Sequence, residues 1–273
     1  MQDVSSTLDR SVAGGDEVMF DIVSSPAPPR SDILRLAAGT LAAIRIPGML
    51  SPQRCTEVMV ELADCEFDHY DPAQVFPPVA KFGTGISDFY SADGLRQEYW
   101  AEAEQAAKNW QALFNDDDPV QAILDQLARS WDGPVSRATI DGQECFAGVV
   151  RQLTGGSRIH YDEIARDYPY LFDTPPIVQF GFNCYLAVPE SGGELTVHRR
   201  RWLPRDEDHR DGYGWAPRVV ADEPHVTLHP EVGEGIFFDS RNYHRIGANT
   251  AGRRVALGFF MGVTAENRLV LWS

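Results

Sequence analysis

The sequence predicts a mostly β protein with flanking helices: an antiparallel barrel or double-sheet jelly roll, with N-terminal helices packed on it. From Cys145 onward the chain divides into short runs rich in Val, Phe and Tyr, each bounded by Gly, Pro or Asp. No helical period separates these runs, which favours antiparallel pairing over a parallel sheet. Ahead of them lie three stretches with apolar residues at three-to-four spacing, whose mixed faces suit packing on a sheet.

Taken in order, residues 1–30 are polar and rich in glycine and proline, and read as a flexible lead-in. Residues 31–273 read as a single domain, helical over about 31–140 and jelly roll over about 141–273. The first helix opens at Ser51 with Pro52 in its first turn and carries Val58, Val60, Leu62 and Ala63. The second runs over about 95–114 with Trp100, Ala103, Ala107, Trp110 and Phe114. The third starts at Asp118 and Pro119 and buries Ile123, Leu124, Leu127 and Trp131. Strands are expected at CFAGVVRQL, IVQFGFNCYLAV, ELTVHR, HVTLH, GIFFD, RVALGFFMG and RLVLW. The two glycines of PESGGEL join two of these strands, so they read as a hairpin turn and not as a phosphate loop.

A net charge of -16 argues against nucleic acid, since HRRRW at 198–202 is the one basic cluster near an aromatic. A small molecule is the expected partner, with the protein a monomer or homodimer. The four cysteines form no CxxC and read as reduced thiols of a cytoplasmic protein. The N-terminus has neither a basic start nor an apolar run, so no signal peptide is expected. The longest apolar stretch, VALGFFMGV at 255–263, is too short to span a membrane.

His and Asp two residues apart occur three times: His69 with Asp71, His160 with Asp162, and His209 with Asp211. The first pair precedes a proline-rich loop and the third lies in a highly charged one, so both read as solvated surface. His229, Pro230 and Glu231 read as a turn. His160 and Asp162 follow an apolar strand and a TGGS turn, and extended backbone puts both on one face. His244 follows another apolar strand, with 81 residues between it and Asp162, enough for intervening strands to return it to the pair. Two His and one carboxylate form a facial triad suited to non-haem Fe(II). Such a triad leaves three open positions, two for a 2-oxo acid and one for O2. Arg254, ten residues beyond His244, would anchor the far carboxylate of that acid as a planar fork, its alternative being a surface ion pair. Arg253 faces the other way.

IHYDE, PEVGEGIFFDS and NYHRIGANTAGRR resemble the metal- and cosubstrate-binding motifs of the Fe(II)/2-oxoglutarate-dependent oxygenases. That resemblance implies a double-stranded β-helix core, with 2-oxoglutarate as the 2-oxo acid. VPESGGEL, HRIG, LGFFMG and LVLWS resemble, more narrowly, the carrier-independent aliphatic halogenases of indole alkaloid biosynthesis, a subgroup close to hydroxylases of N-acyl amino acids. The likeness covers about 81–273, and within it FGTGISDFY matches a pocket-lining segment, which makes Ile86, Ser87 and Phe89 candidate substrate residues. Those halogenases carry Gly at the carboxylate position, freeing a place for chloride. This chain carries Asp162, so the implied reaction is hydroxylation of an aliphatic C–H of an amino acid, N-acyl amino acid or secondary metabolite, releasing succinate and CO2. Desaturation or cyclisation would start from the same hydrogen abstraction. A cupin-like metalloenzyme without 2-oxoglutarate and a non-catalytic jelly-roll module are the other classes. Arg151 and Asn183 are further candidates to hold a ligand, each with an ordinary structural alternative. The loop over 199–215 would suit a lid or an idle insertion.

Overall fold

A computed structural model describes residues 19–73, 75–91 and 93–273. Its largest feature is a ten-stranded sheet in which Pro176–Ala187 and Arg254–Thr264 lie side by side at the centre. Outward from Pro176–Ala187 follow Gly235–Phe238, Leu41–Ile46 and Asp21–Ser24; outward from Arg254–Thr264 follow Val149–Leu153, Val79–Phe82 and Asp68–His69. Leu269–Trp272 pairs with the far half of Arg254–Thr264 and carries Val135–Arg137 in parallel. Facing it is a three-stranded sheet of His225–Leu228, Leu195–Arg201 and Asn242–Ile246. This is the two-sheet jelly roll.

Strand alternation sorts the central strands into two faces. Val150, Phe182, Leu257 and Phe259 point to the helices, where they join Trp110, Ile123 and Leu127 in the main core. Tyr185, Ala256, Ile236 and Phe238 point to the smaller sheet and meet Leu195 and Val197. The helices are fixed by their starts. Ser51 Oγ accepts the Arg54 amide at 3.0 Å for Pro52–Glu61, and Asp118 caps Pro119–Ser130 through Val120 at 2.8 Å. Asp118 also accepts from Trp110 Nε1 at 2.7 Å, which ties Pro119–Ser130 to Glu98–Phe114.

The N-terminal part differs from the expectation. Asp21–Ser24 and Leu41–Ile46 are parallel sheet strands, with the helix Arg30–Ala37 between them. The part of the expected lead-in from Met19 to Arg30 is therefore folded, with Phe20 buried; residues 1–18 lie outside the described ones. The alanines of LAAIRI weaken its β signal, so the strand is not apparent from composition. His244 also sits differently, inside a strand of its own, Asn242–Ile246, and not at the end of an apolar one. Its polar, unalternating NYHRI hid that strand.

The turn that carries the chain from one sheet to the other is held by Asp239. Fully buried, it accepts from Arg201 Nη2 at 2.7 Å and from Arg241 Nε and Nη2 at 2.8 Å each. Removing its charge would leave two guanidiniums facing each other, a change that costs about 3 kcal/mol when one partner of a buried pair is lost. Asp239→Asn is therefore expected to lower the melting temperature by roughly 5–10 °C in a thermal scan; an unchanged melting temperature contradicts the role given to this turn.

Candidate metal centre

Two chain segments far apart in sequence close over the mouth of the jelly roll. Gly156 adopts φ +73°, and a side chain there would strike the Ile246 carbonyl, so only glycine lets residues 157–160 run against Asn242–Ile246. His160 and His244 exchange both backbone hydrogen bonds, at 2.9 and 2.7 Å, as a cross-strand pair. Their rings therefore lie side by side, with centroids 4.3 Å apart.

Each imidazole has its Nδ1 on a backbone carbonyl: His160 on Arg158 at 2.8 Å, His244 on Asn242 at 2.9 Å. Only Nδ1–H can donate there, which fixes the tautomer and leaves both Nε2 lone pairs free. Both point at Asp162, whose Oδ2 lies 3.8 Å from His160 Nε2 and 3.3 Å from His244 Nε2. One ligand atom from each residue falls within 4.8 Å of the others, the one such cluster among the described residues. Burial and the neighbouring His244 push His160 down to about 4, so it is neutral near pH 7. Burial works to raise Asp162, but His160, His244 and Arg151 outweigh it and hold the carboxyl below its usual range. A neutral imidazole at His160, an ionised carboxylate at Asp162 and Nδ1–H tautomers fixed on backbone carbonyls suit the donor set of a divalent Fe ion.

Asp162 is itself fixed through its backbone. Its N–H donates to Ser240 O at 2.8 Å, while its carbonyl accepts from Gln179 Nε2 and Ser240 Oγ at 3.1 Å each. Gln179 Oε1 accepts the Ile164 amide at 2.7 Å, so one buried amide spans the segment that carries the carboxylate. Gln179 is a polar residue in the apolar run IVQFGF, a signal passed over in the sequence, since a buried amide needs partners.

A cavity of about 310 Å³ opens beside the three residues, within the range of small-molecule sites. Arg254 lines it, only 1% exposed, donating from Nε to Gly193 O at 3.0 Å and from Nη2 to Tyr185 OH at 3.4 Å. No carboxylate lies within ion-pair distance of it among the described residues. PESGGEL is not the expected hairpin turn, since Pro176–Ala187 and Leu195–Arg201 lie in different sheets; it is the link between them and gives Arg254 a carbonyl. Ile86, Ser87, Arg151 and Asn183 also line the cavity. Phe89 does not; its ring packs 5.9 Å from Tyr99 and under the Arg96 guanidinium. The other histidine pairs lie elsewhere. His69 and Asp71 are exposed, though His69 falls in a two-residue strand where a loop was expected, and Tyr70 between them reaches the cavity. Asp211 pairs with Arg158.

The 199–215 segment is folded. Buried Asp206 accepts from the Leu203 amide, Arg200 and Tyr243, at 2.7, 2.8 and 3.2 Å. Tyr213 accepts the Arg158 amide at 2.7 Å and stands edge-on to His160, so the segment forms a wall of the centre. Because Gln179 holds the Asp162 segment, Gln179→Ala is expected to weaken Fe(II) binding about tenfold. A chelator competition reads this directly; Asp71→Ala should leave it unchanged, and equal affinities in all three proteins contradict the assignment.

The sequence matches the family described as carrier-protein-independent halogenase WelO5 over residues 21–273. It is 38% identical to L-gamma-glutamyl-L-propargylglycine hydroxylase of Streptantibioticus cattleyicolor, over 93% of this chain and 96% of that protein. It is 26% identical to leucinostatins biosynthesis cluster protein S of Purpureocillium lilacinum, over 76% of this chain and 90% of that one. Among solved structures, an N-substituted L-amino acid dioxygenase from Burkholderia ambifaria AMMD is similar in fold, with TM-score 0.60 and 15% identity over 90% of this chain and 92% of that one. No helix among the described residues is long and apolar enough to cross a membrane. The chain belongs to the carrier-protein-independent halogenase WelO5 family.

Proposed function

We propose that His160, Asp162 and His244 hold Fe(II), that Arg254 binds the distal carboxylate of 2-oxoglutarate, and that the enzyme hydroxylates an aliphatic C–H of an N-substituted or γ-glutamyl amino acid. One observation carries the cosubstrate assignment: a buried arginine without an acidic partner faces the same cavity as the His/Asp/His cluster. A guanidinium that leaves water needs an anion, and a dicarboxylate chelating beside the cluster supplies one. With iron, 2-oxoglutarate and O2 bound, the centre supplies oxidative decarboxylation to succinate and CO2 and the oxidant for the C–H bond.

The chain's own part is placement and exclusion. Gly193 O and Tyr185 OH hold the Arg254 fork at a fixed depth. Burial lowers the Arg254 pKa and Tyr185 raises it; an arginine stays charged in proteins whatever the balance. Leu195, Ile246 and Phe238 give this part of the cavity an apolar wall, and Phe238 packs edge-on against the His244 ring at 4.8 Å. The Asp162 carboxylate occupies the place that glycine leaves open for halide in the halogenases, so the reading is hydroxyl transfer. The substrate class rests on the 38% identical relative, whose name gives a γ-glutamyl amino acid as its substrate.

Incubation with Fe(II), 2-oxoglutarate and a panel of free, N-acyl and γ-glutamyl aliphatic amino acids tests this. The expected result is succinate release in step with a product heavier by one oxygen atom. A product lighter by two hydrogens would move the reading to desaturation or ring closure. A product formed equally without 2-oxoglutarate would contradict the role of the cosubstrate. Arg254→Met should raise the KM for 2-oxoglutarate at least about tenfold, the loss expected for a charge-assisted pair, with metal affinity unchanged.

A further inference from the structure

A second arginine in the cavity forms no salt bridge among the described residues, its nearest acidic influences being the Asp162 and Asp88 carboxylates acting at longer range. Arg151 and Arg254 lie on neighbouring strands, in the paired rows Arg151 with Ala256 and Leu153 with Arg254, so both side chains project from the same face. Arg151 donates Nε to Tyr70 OH at 2.8 Å, and no carboxylate lies within ion-pair distance of it among the described residues. Lys81, opposite Arg151 on the next strand, has its own partner in Asp88. The Tyr70 ring stands over both cations, at 4.7 Å from Lys81 Nζ and 6.0 Å from the Arg151 guanidinium. Of the two cations on this wall, Lys81 has a salt bridge and Arg151 has none among the described residues.

A second polar group without a hydrogen bond lies on the same floor as the terminal nitrogens of Arg151, above Gly258. The Asn183 amide makes no hydrogen bond among the described residues, and Asn183 pairs with Gly258 on the central strand. A Cβ at Gly258 would come within 2.6 Å of Asn183 Oδ1 and 3.4 Å of Arg151 Nη1. The glycine is thus a floor that gives the Asn183 head its room beside the Arg151 guanidinium, and any side chain there would force the amide to move. 2-Oxoglutarate brings two carboxylates. On the reading above, one belongs beside the His/Asp/His cluster and the other on Arg254. Arg151 is left for a third.

Resting on that reading, we propose that Arg151, Asn183 and Tyr70 form a clamp for the free carboxylate of the substrate. The substrate then enters as an amino acid derivative with an unblocked carboxyl group. Its carboxylate takes the Nη1/Nη2 edge of Arg151, because Nε is already committed to Tyr70, and the Asn183 amide adds a donor. This end-on grip fixes one end of the substrate a set distance from the cluster, so the C–H presented for reaction depends on side-chain length.

The probes are γ-glutamyl-L-norvaline, N-acetyl-L-norvaline and the C-terminal amide of each, with the Fe(II)- and 2-oxoglutarate-loaded enzyme. Anaerobic equilibrium binding and aerobic KM are both read. At least one acid should bind the wild type about tenfold or more tightly than its amide, the size expected for a charge-assisted hydrogen bond. In Arg151→Gln that preference should fall close to one, with the KM for 2-oxoglutarate within about twofold of wild type. Asn183→Asp, which hands Arg151 a partner of its own, should lose the preference in the same way while keeping the fold, and guards against a misfolded Arg151 variant. Acid and amide binding equally, neither acid binding, or a rise confined to the 2-oxoglutarate KM each overturns the clamp. A wild type that does not bind 2-oxoglutarate would instead overturn the underlying reading of the site.

Discussion

Most of the centre depends on one pair of backbone hydrogen bonds, those that His160 and His244 exchange across the mouth of the barrel. Without them the two imidazoles belong to segments more than eighty residues apart, with no reason to meet. With them, the rings stand as cross-strand neighbours, and the carbonyls of Arg158 and Asn242 are placed to take each Nδ1–H. The tautomer, the ring direction and the approach of Asp162 follow from that register. A slip of one residue would turn both rings to the opposite faces of their strands. Gly156 protects the register by allowing the close approach, and Asp239 protects it by fixing the turn into Asn242–Ile246.

Charge distribution in the cavity then decides what can enter. A very acidic chain has placed two arginines that form no salt bridge among the described residues on one inner face, while pairing Lys81 with Asp88 and setting Asp162 against the imidazoles. Burying a guanidinium without an ion pair costs free energy, and on the proposed reading both are held for anions brought by ligands. Gly258 belongs to the same arrangement, since it keeps the space where the Arg151 and Asn183 heads meet.

Much of this was legible in the sequence, because its signals were strong and local. Long apolar runs such as IVQFGFNCYLAV and RVALGFFMG could only be central strands, and the alternation of His160 with Asp162 put both on one face. What was missed lacked a periodic signal. LAAIRI and NYHRI are strands by virtue of their neighbours and not of their own composition. Gln179, Tyr185 and Gly193 act through hydrogen bonds between segments distant in sequence, which no spacing reveals. Tyr70 lies between His69 and Asp71, a pair that reads as solvated surface; its flanking His and Asp are exposed, yet the tyrosine turns inward. Phe89 was carried in by likeness to a pocket segment, and the 3-10 turn Ile86–Asp88 directs it away from the cavity that Ile86 and Ser87 reach.

The account stands on a His/Asp/His cluster that binds Fe(II) and lets a 2-oxo acid chelate it. The most direct measurement is the visible absorption of the anaerobic protein on adding Fe(II) and then 2-oxoglutarate, for the wild type and for Asp162→Ala. The account predicts that the weak charge-transfer band of a chelated 2-oxo acid appears in the wild type at one equivalent of iron and is lost or greatly weakened in the variant. A protein that binds iron tightly yet shows no such band, or a variant whose band equals that of the wild type, would contradict it.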